Sequence, residues 1–414
     1  MNDTVNNGSI ASLLSESLPD TRQREATAFD QMAAACDSLV LFGAGGLGHK
    51  TLIGLRQEGI EPIACADNNP GLWGRSLEGV PVLSPQDAAQ RFGASAVFVI
   101  TIWKAGKGHR MTHVIAQLES LGCKTVIPFT LLYWKYPKHF LPDFCLDLPS
   151  NILKEKENIS GAYNLLSDDL SRSEYLAQLE WRLYSDWSKL SDPIAAEQYF
   201  AEDIYAPAGQ ETFIDCGAFD GDTLKAFLKR REASFKKYIA FEPDPQNFTA
   251  LENCIASLDE NLQKRVECYP YAVGEAREKV WFESTGGVDA RVKEDGIWQV
   301  DSFPLDESLA HVRPTFIKMD IEGSEIEALV GAKQVIGENH PVLAICVYHK
   351  PHDLWSIPLQ IKRLYDGYHF FLRPHLDEGW DLVCYAVPSE RLTKTHRDGA
   401  IDEAGMATEW NRQM

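Results

Sequence analysis

No two cysteines in this chain are spaced C-x-x-C. The nine present (Cys36, Cys65, Cys123, Cys145, Cys216, Cys254, Cys268, Cys346 and Cys384) are odd in number and scattered over 414 residues. That pattern excludes a zinc-ribbon site and a disulfide framework, and it reads as free thiols in a reducing compartment. Long apolar runs are also missing: none approaches the roughly 20 residues of a membrane-spanning helix. The opening MNDTVNNGSIASLLSES lacks the basic and apolar regions of a secretory signal. Positive charge is scarce, with 40 Lys and Arg against 60 Asp and Glu and a formal charge of -20. Such a field repels phosphate backbones and anionic lipid, and the longest basic run is only Lys229-Arg230-Arg231. These absences predict a cytoplasmic protein with neither a nucleic-acid nor a membrane partner. A homo-oligomer is compatible with them.

What is present is α/β alternation, twice. The length predicts two domains with connectors. After an N-terminal tail and helix (1–35), strands at Ser38 to Phe42, Pro62 to Asp67, Ala96 to Ile102 and Thr125 to Pro128 alternate with helical patterns. They predict a Rossmann-like nucleotide-binding domain over 36–150. Residues 151–205 show no convincing strand, and Leu176, Leu179, Leu183 and Trp187 fall at near-helical spacing, which predicts a helical bridge. A second module, 206–390, has strands at Thr212 to Cys216, Tyr238 to Glu242, Val266 to Val273, Thr315 to Asp320 and Val342 to Tyr348. It closes with an antiparallel hairpin, Tyr368 to Arg373 and Asp381 to Val387, and a polar tail follows over 391–414. The expected fold class is α/β with two Rossmann-like domains, the second a class I methyltransferase fold.

Three segments carry the chemistry: TFIDCGAFDGDT, YIAFEPDPQNF and TFIKMDIEGSE. In each, an apolar run ends in an acid and a tight turn, the way an α/β sheet presents a ligand at the carboxyl ends of its strands. Together they describe an S-adenosylmethionine site. In the loop Asp215, Gly217, Ala218, Phe219, Asp220, Gly221, Asp222 and Thr223, the glycines let backbone approach the ligand. The helix that follows can receive the methionine carboxylate, while Asp215 and Asp222 can accept from its ammonium. Glu242, 27 residues after Asp215, suits the ribose hydroxyls. Phe241 and Pro243 would flank the adenine, with Tyr271 and Ala272 on the other wall.

With DCGAFDGDT, FEPDPQNFTALENC, the AVGE turn at Ala272 and IKMDIEGSEIEALVGA, the chain resembles the FkbM-type methyltransferases over about residues 205–390. The resemblance implies a class I fold, S-adenosylmethionine as donor, and O-methylation of a sugar or polyketide hydroxyl. One departure stands out. The family often carries an acid in the fifth strand, where this chain reads VLAICVYHKPHD, so no role of that carboxylate transfers.

Methyl transfer to a hydroxyl is an in-line displacement that needs alignment and removal of a proton. Asp320, Glu322 and His349 are the candidate bases, each with a plainer alternative. Glu322 could cap the next helix, Asp320 could hold the donor's amino group, and His349 with His352 could be surface residues of a Pro-rich turn. The spacing of His349, His352 and Asp353 is too weak to define a metal site, so none is expected. Trp355 reads as core. Residues 284–300 and the bridge are the expected builders of the acceptor pocket.

In the first module, Gly43, Gly45, Gly46 and Gly48 lie between strand and helix, with Asp67 24 residues after Gly43. That is a dinucleotide-type fingerprint. The stretch through DNNPGLWGRSLEGVPVLSPQDA resembles the nucleotide-sugar-binding domain of certain sugar acyltransferases, which implies a nucleotide or nucleotide sugar as a second ligand. The leading expectation is a methyltransferase acting on a small-molecule, saccharide or nucleotide-sugar acceptor. An NAD(P)-dependent oxidoreductase built on the first module, and a non-catalytic nucleotide-binding assembly protein, are the alternatives.

Overall fold

A computed structural model describes residues 10–104, 109–194, 197–231, 234–283, 291–292, 296 and 298–397. The extreme N-terminal tail, most of the 284–300 segment and the tail beyond 397 lie outside the described residues. Among the described residues, no helix is long and apolar enough to cross a membrane.

The N-terminal lobe is a six-stranded sheet. Its strands are β1 (Ser38–Phe42), β2 (Ala64–Ala66), β3 (Ser76–Leu77), β4 (Val80–Leu83), β5 (Ala96–Ile100) and β6 (Thr125–Pro128), in the order β3-β4-β2-β1-β5-β6. All pairings are parallel except β3 with β4. The sequence reading does not include that hairpin. Its strands are so short that alternation could not register. β1 is Val- and Leu-rich because helices cover both faces of a parallel sheet.

The C-terminal lobe is built on β7 (Glu211–Cys216), β8 (Phe235–Phe241) and β9 (Val266–Tyr269), and its chain then adds β10 (Ala272–Val273), β11 (Glu278–Glu283), β12 (Arg291–Val292) and β13 (Trp298–Phe303). It ends with β14 (Phe316–Met319), β15 (Val342–Cys346), β16 (Tyr368–Pro374) and β17 (Leu382–Pro388). The main sheet runs β9-β8-β7-β14-β15-β17-β16, parallel except for β17, which is antiparallel to both neighbours. The expected hairpin therefore closes the sheet. The strand expected over Val266 to Val273 is two strands. Ala272 and Val273 leave the main sheet and pair with β13 in a separate four-stranded sheet, β10-β13-β11-β12. That sheet reaches into the 284–300 stretch expected to help build the acceptor pocket: Phe282 is buried and lines the cavity, whereas Trp281 and Trp298 stay exposed.

Between the lobes, α1 (Asp169–Tyr184) carries two apolar faces. Tyr175, Leu179 and Leu183 enter the C-terminal core, whereas Ala177 and Trp181 enter the N-terminal core. Positions 175, 179 and 183 recur every four residues and stack on one side; 177 and 181 face away from them. Ser185 in the left-handed region ends the helix. At the sheet edge, Arg373 is buried and joins Asp168 and Asp203 at 2.7 and 2.8 Å, fixing the bridge to the closing hairpin.

Candidate functional site

The main sheet reverses its direction of winding between β7 and β14. A parallel sheet opens a crevice at the carboxyl ends of its strands at such a point. There Gly217 (φ +81°) passes so close to the end of β14 that a Cβ on it would lie 1.9 Å from the Asp320 carbonyl oxygen. Only glycine allows the two strand ends to meet. A cavity of about 660 Å3 opens above this contact.

Glu242 ends β8 on the cavity wall. One carboxylate oxygen accepts from the Phe219 amide at 2.9 Å and the other from the Asp244 amide at 2.8 Å. Burial pushes its carboxyl up to about 7, against the pull of these two amides. Phe219 adopts φ +46°, an unfavourable conformation for a side-chain-bearing residue, and it is this turn that aims its amide at Glu242. Asp244 caps the next helix, Pro245–Ala256, accepting from Gln246 and Asn247. Phe241, Pro243, Tyr271 and Ala272 line the adjoining wall.

Of the loop residues read from sequence, Gly217, Phe219, Asp222 and Thr223 line the cavity, whereas Asp215, Ala218, Asp220 and Gly221 do not. Asp215 is fully buried beneath the site. It lies 3.0 Å from the Lys318 ammonium and accepts the Tyr238 hydroxyl, so its carboxylate is not presented to a methionine ammonium. Ala218 is packed in the core, and Asp220 has one carboxylate oxygen 3.4 Å from Lys225 and the other buried. Gly221 serves the turn at φ +86°.

Lys318 was not among the residues read from sequence. Its ammonium donates to the Gly217 carbonyl at 2.6 Å, and the side chain is on the cavity wall. Burial alone would lower its pKa, but the charge of Asp215, with Asp320 and Asp222, raises it instead. The available signal was a lysine inside FIKMD, an apolar central strand where a charge has to be paired.

Asp320, Glu322 and His349 converge. His349 Nε2 lies 3.3 Å from Asp320 Oδ1 and 3.5 Å from a Glu322 oxygen, and Nδ1 is 2.9 Å from Glu325 Oε1. His349 is 6% exposed, so it is not a surface histidine. His352 points elsewhere, 3.4 Å from Asp353. Burial disfavours the imidazolium, but Glu325, Asp320 and Glu322 outweigh it and raise the His349 pKa well above its ordinary value. Asp320 accepts the Tyr199 hydroxyl at 2.7 Å. Burial would raise its carboxyl, yet His349 and Lys318 hold it below the usual carboxylate range. The helix Glu325–Val330 has no side-chain cap; Glu325 instead reaches back to the Ile321 amide at 2.9 Å.

The far wall comes from elements not anticipated. Trp103, beyond β5 of the N-terminal lobe, packs on Trp380 with ring centroids 4.9 Å apart, and Phe144 meets Trp380 edge-on. All three line the cavity, as do Tyr348 and Asp381. Asp381 accepts the Tyr348 hydroxyl at 3.2 Å, and burial pushes its carboxyl up to about 6. Trp355 is core, as expected.

In the N-terminal lobe, a Cβ on Gly48 would lie 1.9 Å from the Gly43 carbonyl, and one on Gly43 would meet Thr101 at 2.6 Å. Those two glycines are therefore required by packing. Gly45 and Gly46 face open space. Asp67 accepts from the Ala44 amide of the glycine loop and from the Asn69 amide of its own turn, at 2.7 Å each.

The crevice, the strand order and the antiparallel closing strand define a class I methyltransferase fold. Residues 215–377 match the model of the methyltransferase FkbM domain. The crystal structure of methyltransferase FkbM from Methylobacillus flagellatus KT aligns with TM-score 0.71 and 24% identity, covering 89% of this chain and 99% of that one. Its likeness in fold thus extends across both lobes. UDP-D-quinovosamine 4-dehydrogenase from Vibrio fischeri (19% identity, TM-score 0.20) covers 23% of this chain and 78% of that one. The methyltransferase domain of bacterial CtHen1 (13% identity, TM-score 0.27) covers 43% and 91%. Neither likeness is strong enough to carry an argument. No curated protein matches the chain.

Proposed function

We propose that this protein is an S-adenosylmethionine-dependent O-methyltransferase acting on a hydroxyl of a saccharide, free or carried on a nucleotide. The observation that carries the donor assignment is Glu242: a buried carboxylate at the end of the second strand, held by the Phe219 amide of the glycine turn in a cavity that Gly217, Asp222 and Thr223 also line. When bound there, the sulfonium supplies an activated methyl group. Glu242 accepts the ribose hydroxyls, Phe241, Pro243, Tyr271 and Ala272 enclose the base, and the Asp222–Arg231 helix start faces the amino-acid end.

The acceptor lies between the lobes. Trp103, Phe144 and Trp380 supply flat apolar faces of the kind that stack on sugar rings, and the carboxylates beside them accept from hydroxyls. Asp381 takes the acceptor's proton. It lines the same space, and its raised affinity for a proton suits a base better than Asp320, which is held ionised. The oxidoreductase alternative is not favoured, because the family match falls on the second module.

The decisive experiment is calorimetric titration with S-adenosylmethionine and, separately, NADH. Donor binding in the native protein, weakened at least ~100-fold in Glu242→Ala, is the expected result. Unchanged affinity in that variant, or NADH binding in place of the donor, would overturn the assignment.

A further inference from the structure

We propose that Asp320, Glu322 and His349 form a binding site for a divalent first-row cation, which holds the acceptor hydroxyl in the cavity. This rests on the methyltransferase reading for its purpose, though not for its geometry.

Three ligating atoms, one from each residue, all lie within 4.8 Å of one another. Ligands about 2.1 Å from one centre at tetrahedral to octahedral angles sit about 3.0–3.4 Å apart; of the two separations from His349 Nε2, 3.3 Å falls in that range and 3.5 Å just beyond it. His349 Nε2 is buried with no hydrogen-bond partner, and so is Asp320 Oδ1 that faces it. A proton on that nitrogen would make the contact an ion pair, and a cation seated between the two atoms would take the proton's place.

The other ring nitrogen supplies a separate observation. Nδ1 bonds Glu325, itself fixed by the Ile321 amide. A metal-ligating histidine is oriented in this way, its second nitrogen donating to a carboxylate so that the lone pair of the first faces the ion. Charge points the same way. Three carboxylates (Asp320, Glu322 and Glu325) surround one imidazole, while Lys318 is paired with Asp215 and Lys350 lies 3.8 Å from Glu327. A divalent ion offsets the excess.

Asp320 and Glu322 line the donor–acceptor cavity, so the remaining coordination positions open into it. Mixed oxygen and imidazole ligands favour Mn2+ and its neighbours over Ca2+, which takes oxygen alone. The ion would bind an acceptor bearing two adjacent oxygens, such as a vicinal diol. One of these oxygens forms the new bond to the methyl carbon while the carbon–sulfur bond breaks, its electron pair staying on sulfur. The hydroxyl proton passes to Asp381.

The test is Mn2+ binding to chelator-treated, full-length protein, followed by calorimetry and by electron spin-echo spectroscopy. One Mn2+ per chain is expected, with nitrogen modulation from an imidazole. Glu322→Gln and His349→Asn should each weaken binding by about 100-fold or more, and Glu325→Gln by about 10–100-fold. Retained S-adenosylmethionine binding shows that each variant is folded. Loss of donor binding in the native protein would count against the methyltransferase reading alone, because Mn2+ is read separately. The metal proposal is overturned if native protein binds S-adenosylmethionine but not millimolar Mn2+, if the echo lacks nitrogen modulation, or if the folded variants bind Mn2+ like the native chain.

Discussion

Lys318 occupies a position where a central strand calls for an apolar side chain, and it ties three parts of the site together. Its ammonium joins the buried Asp215 of the neighbouring strand and the carbonyl of Gly217 at the turn. Removing one member of a buried pair strands the other charge. Lys318→Met should therefore cost about 3–5 kcal/mol in chemical denaturation, and adding Asp215→Leu should restore most of it. A loss below ~1 kcal/mol in the single variant would show that the pair is not coupled. Glu242 makes a second residue-level prediction, in pH. Its carboxyl is raised to about 7, and ribose hydroxyls donate only to the carboxylate form usefully. Donor binding thus favours the ionised state and releases a proton at acid pH. Affinity should be level above about pH 7 and fall about tenfold per unit below it, which calorimetry in buffers of differing ionisation enthalpy would register.

At the scale of elements, the closing hairpin does more than finish a sheet. The link between β16 and β17 carries Trp380 and Asp381 into the cavity, and Glu378 and Asp381 hold positive φ there. Asp381→Asn should lower kcat by ~100-fold or more while leaving donor affinity intact, a split read by steady-state kinetics beside calorimetry. Parallel reductions in kcat and donor affinity would instead mean that the link had lost its shape. This element also marks where sequence reading stopped. Tyr368 to Arg373 and Asp381 to Val387 announced themselves by alternation, and Glu242 by its place after an apolar run. The link between those strands did not announce its role, because nothing local states that a loop faces a cavity. The same limit hid Lys318, whose partner is about a hundred positions away, and misplaced Asp215, since a strand-end acid reads alike whether it faces the ligand or the core. His349 was legible as chemistry but not as buried. Its three carboxylate neighbours come from a different strand end, joined to it only by the parallel pairing of β14 with β15.

For the whole molecule, the cavity belongs to both lobes. Trp103 follows β5 of the N-terminal lobe and Trp380 lies in the link between β16 and β17 of the C-terminal one, and Arg110 meets Asp377 at 2.7 Å across the same boundary. Trp103→Ala should raise the acceptor KM by about tenfold or more with donor affinity unchanged, following the loss of an aromatic stacking face. An unaltered acceptor KM would remove the N-terminal lobe from substrate recognition.

The two-faced helix α1 has a bearing on how this architecture can be recombined. Because Trp181 belongs to one core and Leu179 to the other, no cut within the helix separates the lobes cleanly. A chimera that exchanges the N-terminal lobe for a foreign one must graft the matching stripe of this helix as well. The natural unit of exchange is therefore a sheet together with half the surface of a helix.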